Sequence, residues 1–147
     1  MSLTVPLEGF GGGGNPLNFK ESTEYPGCYY RTVDGETEWQ NPPMVQGTEY
    51  RTVERYKGSV VYTKAFNFGA LPDQDQKSVS TGISYSKLVS CIGYTRNSTD
   101  TLFEHFPVLA GNVIAAQFYY ENKSIIVNTF GTGGNYKECV FYLKYTK

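Results

Sequence analysis

Apolar and polar residues alternate with a period of two along most of the chain after residue 25. This period places successive side chains on opposite faces of an extended strand, and it is typical of strands with one buried face. The segment 137–146 alternates most regularly, and its apolar positions are Cys139, Phe141, Leu143 and Tyr145. We therefore predict a final strand that directs these four side chains into the core.

Turn-forming residues separate the alternating segments. Asp34-Gly35 is a strong two-residue hairpin signal, because both positions of such a turn need a positive φ, and Lys57-Gly58 is a second turn of this kind. Short strands joined by such turns are typical of an antiparallel β-sandwich or barrel. We expect under about 10% helix, far below the usual third, with 109–116 the one segment that also permits a helical turn. Strands are predicted over 28–33, 36–39, 49–55, 60–68, 77–83, 87–95, 102–108, 113–120, 124–130 and 137–146.

The length of the chain suits one folded domain with a single core. A run of four glycines at 11–14 is typical of a flexible lead, because glycine loses the most entropy on ordering. Tyr30-Arg31-Thr32-Val33 recurs as Tyr50-Arg51-Thr52-Val53, which we interpret as two similar strands rather than a solenoid repeat. The predicted segments are a flexible lead (1–24), a small β-hairpin region (25–58) and a β-sandwich (59–147).

Charge and composition argue against several functional classes. The chain has 13 basic and 14 acidic residues, a net charge of -1 and no basic run, so we expect no nucleic-acid binding. No apolar run approaches 18 residues and no secretory signal is visible, so neither membrane insertion nor secretion is predicted. Cys28, Cys91 and Cys139 are far apart, and we interpret them as reduced structural thiols, the last two buried, as is typical of cytoplasmic folding.

The sequence offers little for catalysis. Any Ser-His-Asp or Cys-His arrangement needs His105, the single histidine, which lies near Phe103 and Phe106 on a predicted strand and is interpreted as a packed or surface residue. Asp73 and Asp75 lie in a loop without the glycine and distant glutamate of a calcium loop, and zinc lacks closely spaced ligands. We predict a non-enzymatic protein with no cofactor and no metal.

The aromatic content is the unusual feature, at 16% with 13 Tyr and 9 Phe. In the pairs Tyr29-Tyr30 and Tyr119-Tyr120, neighbouring side chains point to opposite faces, so one tyrosine of each pair faces away from its core. An outward tyrosine can stack under a sugar ring or fill a subunit interface. Cross-strand aromatic pairing on an exposed face is an equally good interpretation for any single tyrosine. For Trp39 we expect a packing role.

Turn chemistry suggests where a ligand would bind. Sugar recognition combines a flat aromatic ring with nearby amide or hydroxyl groups, and loops at the end of a sandwich vary without disturbing the core. The turns 95–101, 120–123 and 131–136 carry this combination, and we place the site there. The predicted ligand-binding residues are Tyr94, Asn97, Tyr120, Asn122, Asn135 and Tyr136.

Six blocks of the sequence form a recognisable series: Glu38-Trp39-Gln40-Asn41-Pro42-Pro43-Met44, Gly47-Thr48-Glu49-Tyr50-Arg51-Thr52, Glu54-Arg55-Tyr56, Val61-Tyr62-Thr63-Lys64, Gly69-Ala70-Leu71-Pro72 and Val140-Phe141-Tyr142-Leu143-Lys144-Tyr145-Thr146-Lys147. These blocks resemble the C-terminal receptor-binding tip of phage and prophage tail fibre proteins. The similarity runs from about residue 25 to the end. It is more specific before Leu71 than after it.

The resemblance implies a homotrimeric fibre tip in the virion tail, made and folded in the bacterial cytoplasm. Such a tip touches the host envelope, and we predict that it attaches by binding a surface glycan of the bacterial envelope. The resemblance brings no catalytic residues and no agreed binding residues. Two alternatives stay open: a structural fibre-capping or joining module without a ligand, and a carbohydrate-binding module of a secreted protein.

Overall fold

The computed structural model describes residues 18–97, 99, 103–110, 113–130 and 136–147, and these are almost entirely β-structure. Helix accounts for 3% of the structure, so the predicted all-β class and low helix content are confirmed. The single helical segment among the described residues is a 3-10 turn, Tyr85–Lys87, and no helix there has the length and hydropathy to cross a lipid bilayer. The strands are β1 (Lys20–Glu21), β2 (Tyr29–Val33), β3 (Glu36–Trp39), β4 (Glu49–Tyr56), β5 (Ser59–Asn67), β6 (Gln76–Ser80), β7 (Leu88–Asn97), β8 (Phe103–His105), β9 (Val108–Ala110), β10 (Val113–Glu121), β11 (Ser124–Thr129) and β12 (Tyr136–Tyr145).

The strands form two sheets. The larger has the order β1-β2-β3-β4-β5-β12-β7-β8, and the smaller has the order β6-β11-β10-β9. Pairing is antiparallel throughout the described sheets except between β3 and β4, which are parallel and aligned at Trp39 and Thr52. The last strand, β12, therefore lies inside the larger sheet, between β5 and β7.

The core lies between the two sheets. The Phe141 ring of β12 packs against Phe118 of β10, with the ring centroids 4.8 Å apart, and stacks on Phe106 at 5.4 Å. Cys139, Phe141 and Leu143 are fully buried and Tyr145 is buried. The inward face predicted for the last strand is thus confirmed, because strand alternation places these four residues on one side.

Two predicted hairpin turns have the expected backbone. Asp34 and Gly35 have φ of 50° and 78°, and Lys57 and Gly58 have φ of 49° and 82°. Positive φ at both central positions gives a turn whose twist matches that of the strands it joins, and glycine adopts this conformation at no steric cost. These turns set the register of the β2–β3 and β4–β5 hairpins.

The four-residue repeat has a structural counterpart. Its first copy lies in β2 and its second in β4, and these strands flank β3 on either side. On one face of β3, Trp39 contacts Tyr30 and Tyr50, with ring centroids 5.2 Å and 5.8 Å away. Trp39 is therefore held between equivalent tyrosines, which is the packing role expected for it.

The other face of β3 carries charge. The Glu38 side chain is fully buried and accepts hydrogen bonds from Arg31 at 3.0 Å and from Arg51 at 3.1 Å. Arg55 donates a further bond at 2.6 Å. The two copies of the repeat thus supply equivalent tyrosines to one face of β3 and equivalent arginines to the other.

Some boundaries differ from the predictions. Lys20 and Glu21 pair with Tyr30 and Tyr29, so ordered structure begins inside the segment predicted as a flexible lead, whereas residues 1–17 lie outside the described residues. The boundary predicted after 58 falls in the turn between β4 and β5, which pair in the same sheet. The predicted strand 102–108 is divided into β8 and β9 around Pro107, because proline cannot donate to a ladder.

Candidate functional site

Two of the predicted site residues meet at one end of the larger sheet. Asn97 of β7 lies opposite Tyr136 of β12 in the register. The Tyr136 hydroxyl donates a hydrogen bond to Glu104 Oε2 at 2.7 Å. Burial, followed by this contact with a carboxylate, raises the pKa of Tyr136 to about 12. Asn135 lies outside the described residues.

Tyr120 and Asn122 lie at the opposite end of the sandwich. The Tyr120 hydroxyl donates to the Ile83 carbonyl at 2.5 Å and is also hydrogen-bonded to Thr81. Asn122 is in the β10–β11 turn with φ of 49°. Asn122 precedes the Ser124 end of β11, whereas the Tyr136 carbonyl accepts a hydrogen bond from the Leu71 amide near the Thr129 end, so the two residues do not come together.

Tyr94 lies apart from both groups, on the outer face of the larger sheet. Its ring centroid is 4.4 Å from that of His105 and 5.7 Å from that of Tyr142. The structure therefore distributes the five described site residues over three places: Asn97 with Tyr136, Tyr120 with Asn122, and Tyr94 by itself. Asn97 and Tyr136 are the pair that is brought together from distant parts of the sequence. Ligand binding at any of them stays a prediction.

A different surface carries the combination of an aromatic ring with amides and hydroxyls that was predicted for the loops. Ile125 and Val127 of β11 are fully buried, so the residues that alternate with them point away from the core. The registers of β6, β11 and β10 extend this outer face across three strands. We call it the amide–hydroxyl face, and its three cross-strand rows are Gln76, Asn128 and Gln117; Ser78, Ile126 and Tyr119; and Ser80, Ser124 and Glu121.

Tyr119 dominates the middle row of this face. Its hydroxyl accepts a hydrogen bond from Gln76 Nε2 at 3.1 Å, so the side chain extends from β10 across β11 to β6. Ile126 lies under this path and is 8% exposed, although it is on the outer side of the sheet. Tyr119 itself stays 40% exposed. The result is an aromatic ring that covers an aliphatic side chain and leaves part of its own surface to solvent.

The amide–hydroxyl face is nearly free of charge. Glu121, at one corner, is its single ionisable carboxylate, and the remaining polar side chains are the amides and hydroxyls of Gln, Asn and Ser. Each of these groups both donates and accepts hydrogen bonds. Such a surface can pair with the hydroxyls of a sugar while the tyrosine ring covers an apolar sugar face.

The residues around Tyr119 contain a sequence signal for this face. Gln117 and Glu121 have the same parity as Tyr119, and Phe118 has the parity of Tyr120. Two polar residues on the Tyr119 side identify the outward tyrosine of the pair. The turn residues pointed instead to Tyr120, whose hydroxyl is hydrogen-bonded to the Ile83 carbonyl at the end of the sandwich.

A groove lies where the chain between β6 and β7 passes the end of β12. Its volume is about 350 Å³, and Glu49, Lys64, Lys87, Tyr145 and Lys147 are among the residues that line it. Glu49 accepts hydrogen bonds from the Tyr145 hydroxyl and from Lys147 Nζ. Burial alone raises the Glu49 pKa, but these two bonds and the positive charges of Lys147 and Lys64 outweigh it, and the pKa lies below its ordinary value. Burial and the adjacent carboxylate raise the pKa of Tyr145.

Within the described part of the chain, no three His, Cys, Asp or Glu side chains are grouped as metal ligands. Comparisons with protein-family models, curated proteins and solved structures found no match.

Proposed function

We propose that this chain is a non-enzymatic attachment module, the tip of a phage tail fibre, that binds polysaccharide of the bacterial envelope through its amide–hydroxyl face. The observation that carries the proposal is the exposed Tyr119 ring, fixed by Gln76 and surrounded by amides and hydroxyls. The tail-fibre identity is supported by the sequence blocks described above.

The composition of the face favours a sugar over a charged partner. Removing a charged side chain from water costs far more than removing an amide or hydroxyl that regains a hydrogen bond. The amide–hydroxyl face can therefore be covered by a hydroxyl-rich ligand at small desolvation cost. A surface that contacts only solvent has no reason to be limited to one charged side chain among many amides and hydroxyls.

The test is a glycan array of bacterial envelope polysaccharides, combined with adsorption to host cells. Tyr119→Ala removes the ring, and we expect binding to fall at least about tenfold, as for other aromatic anchors. Tyr119→Phe keeps the ring and should retain most of the binding. Tyr85→Ala is the matched control, because Tyr85 is 71% exposed but lies on the 3-10 turn.

Thermal melting of each variant separates lost contacts from lost folding. Full binding by a folded Tyr119→Ala protein contradicts the proposed face. Tyr94→Ala and Tyr136→Ala belong in the same experiment. If only these variants lose glycan binding, the site lies at the predicted loop residues or on the outer face of the larger sheet, and the amide–hydroxyl face is not the binding site.

We also propose that the chain forms a homotrimer. Ile92 and Tyr142 expose large apolar surfaces beside Tyr94 on the outer face of the larger sheet, and such a patch favours self-association. Light scattering should give three times the 16.5 kDa chain mass. A 16.5 kDa species at micromolar concentration contradicts the trimer.

The same patch favours the second candidate function, a structural module that caps or joins a fibre. That function predicts a trimer that binds no glycan on the array. A trimer whose glycan binding depends on Tyr119 supports the attachment module.

A further inference from the structure

The groove beside β12 is lined by more positive than negative charge. Lys64, Lys87 and Lys147 face Glu49 as the single carboxylate side chain among its lining residues. The net charge of the chain is -1, so this surplus is local and does not reflect the protein as a whole. A local surplus of cations in a groove raises the concentration of anions there.

The three lysines come from separate elements that backbone hydrogen bonds hold together. Lys64 is on β5 and Lys87 ends the 3-10 turn, while Lys147 follows β12. The Thr146 amide donates to the Lys87 carbonyl at 2.8 Å, which fixes the 3-10 turn against the end of β12. The convergence of the lysines is therefore a property of the fold rather than of one flexible segment.

One carboxylate, Glu49, opposes these ammonium groups in the described structure, and Lys64 lies directly across from it in the β4–β5 register. Lys147 Nζ pairs with Glu49 and lies 4.1 Å from the centre of the Tyr62 ring. None of the ion pairs among the described residues includes Lys64 or Lys87. Lys87 Nζ donates a long hydrogen bond of 3.4 Å to the Lys147 carbonyl. Three ammonium groups thus share one carboxylate side chain, and the groove keeps a surplus of positive charge for an external anion.

The chemistry beside the lysines also suits an anionic oxygen group. The hydroxyl-bearing residues Thr81, Ser84 and Thr146 line the same groove. Hydroxyls and ammonium groups are both donors that can bond to several oxygens of one phosphate or carboxylate. On the other side of the Glu49–Lys147 pair, a second depression is lined by Glu36, Glu49, Arg51 and Lys147, where the charges balance.

We infer that the lysine groove is a binding site for the phosphate or carboxylate groups of an anionic polysaccharide. The site is separate from the amide–hydroxyl face and does not depend on Tyr119. It adds a charge requirement to ligand selection, because a neutral chain forms no ion pair with Lys64 or Lys87.

The experiment compares dextran, carboxymethyl dextran and phosphorylated dextran of equal chain length by biolayer interferometry. We expect at least one anionic polymer to bind at least about tenfold more tightly than dextran, with affinity falling as NaCl rises from about 0.05 M to 0.5 M. The pattern over the two anionic polymers identifies the preferred group. Equal responses from all three polymers overturn the inference.

Variants locate the effect. Lys64→Gln combined with Lys87→Gln should abolish the preference for the anionic polymer, and Lys64→Arg should keep it. The matched control combines Lys20→Gln with Lys57→Gln, which makes the same charge change at exposed positions outside the groove. If the control loses as much binding as the groove variant, the attraction is general and the inference is wrong.

Folding and the proposed function are checked separately. The single variant Lys87→Gln changes an exposed side chain, so it tests the groove if the double variant melts early. Tyr119→Ala should leave binding of the anionic dextran unchanged. Loss of glycan binding at Tyr119 alone, or at the lysines alone, therefore shows which of the two proposals holds.

Discussion

Glu38 Oε1 lies 2.6 Å from an Arg55 guanidinium nitrogen, and the Glu38 side chain is fully buried. Arg31 and Arg51 also form ion pairs with the Glu38 carboxylate. Burying a carboxylate is tolerable only when its charge is paired and its oxygens are hydrogen-bonded, and loss of one partner leaves the others uncompensated. The stability of the β2–β3–β4 part of the larger sheet therefore depends strongly on the Glu38 side chain.

We expect Glu38→Gln to lower the free energy of unfolding by about 3 kcal/mol or more, although the two side chains have nearly the same shape. Urea denaturation followed by tyrosine and tryptophan fluorescence measures this change. Glu54→Gln is the control, because the Glu54–Lys144 pair is exposed and such pairs contribute about 1 kcal/mol or less. Equal effects of the two substitutions contradict a structural role for the cluster.

Gly93 provides a second stability test. A Cβ placed there approaches Phe141 Cδ1 to 2.8 Å and Phe106 Cδ2 to 2.9 Å, closer than packed carbons allow. We expect Gly93→Ala to destabilise the protein by about 1–3 kcal/mol through overpacking. Ser90→Ala, on the same strand, should change the stability by less than about 0.5 kcal/mol.

A double-mutant cycle assigns the Gly93 effect to its cause. Phe141→Leu removes the ring that the new methyl group meets, so Gly93→Ala should cost less in that background than in the wild type. Additive costs show that the strain arises elsewhere.

The contacts of Glu49 predict a pH dependence of stability. Its folded pKa lies below the ordinary value, so the folded state favours the charged carboxylate. This contribution is complete above the unfolded pKa of about 4.3 and is lost as the pH falls through the folded pKa. The difference in unfolding free energy between wild type and Glu49→Gln should therefore shrink as the pH falls from about 6 to 3. A difference that stays constant over this range contradicts the assignment.

The thiols should differ in reactivity in the order of their burial. Cys139 is buried as predicted, whereas Cys91, also predicted to be buried, is partly exposed, as is Cys28, and none of the three is bridged. Burial raises the pKa of Cys91 to about 12 and also raises that of Cys139, which removes the reactive thiolate. We expect native labelling by iodoacetamide to be slowest at Cys139 and complete only on denaturation, with single-cysteine variants as controls. Rapid native labelling of Cys139 shows that the inner face of β12 is misassigned.

Local pattern predicted the strands well, because alternation and turn residues are properties of neighbouring positions. The inward face of β12 and the turns at Asp34-Gly35 and Lys57-Gly58 follow from a few adjacent residues. The parallel contact of β3 with β4 does not, since Trp39 and Thr52 are joined by an irregular loop without a hairpin signal. The repeat was visible in the sequence, but its position on both sides of β3 was not.

For the candidate site, too, neighbouring residues predicted the local features but not their arrangement in space. Turn residues identify where the chain reverses, whereas the end of the sandwich at which each turn lies depends on strand order. Because β12 is placed between β5 and β7, Tyr136 meets Asn97 and lies far from Asn122. The amide–hydroxyl face needs the order β6-β11-β10, in which the β6 strand comes from a distant part of the chain.

The central position of β12 has a consequence for how the protein is made. Contacts such as the bond from Thr63 Oγ1 to the Leu143 carbonyl join residues 80 apart in the chain, and such non-local pairing slows folding. During synthesis β5 and β7 emerge before their shared neighbour, so both present unpaired edges on the ribosome. Those edges are open to pairing with other nascent chains until β12 arrives. The yield of folded protein in a cell should therefore depend on the interval between translation of β7 and translation of β12.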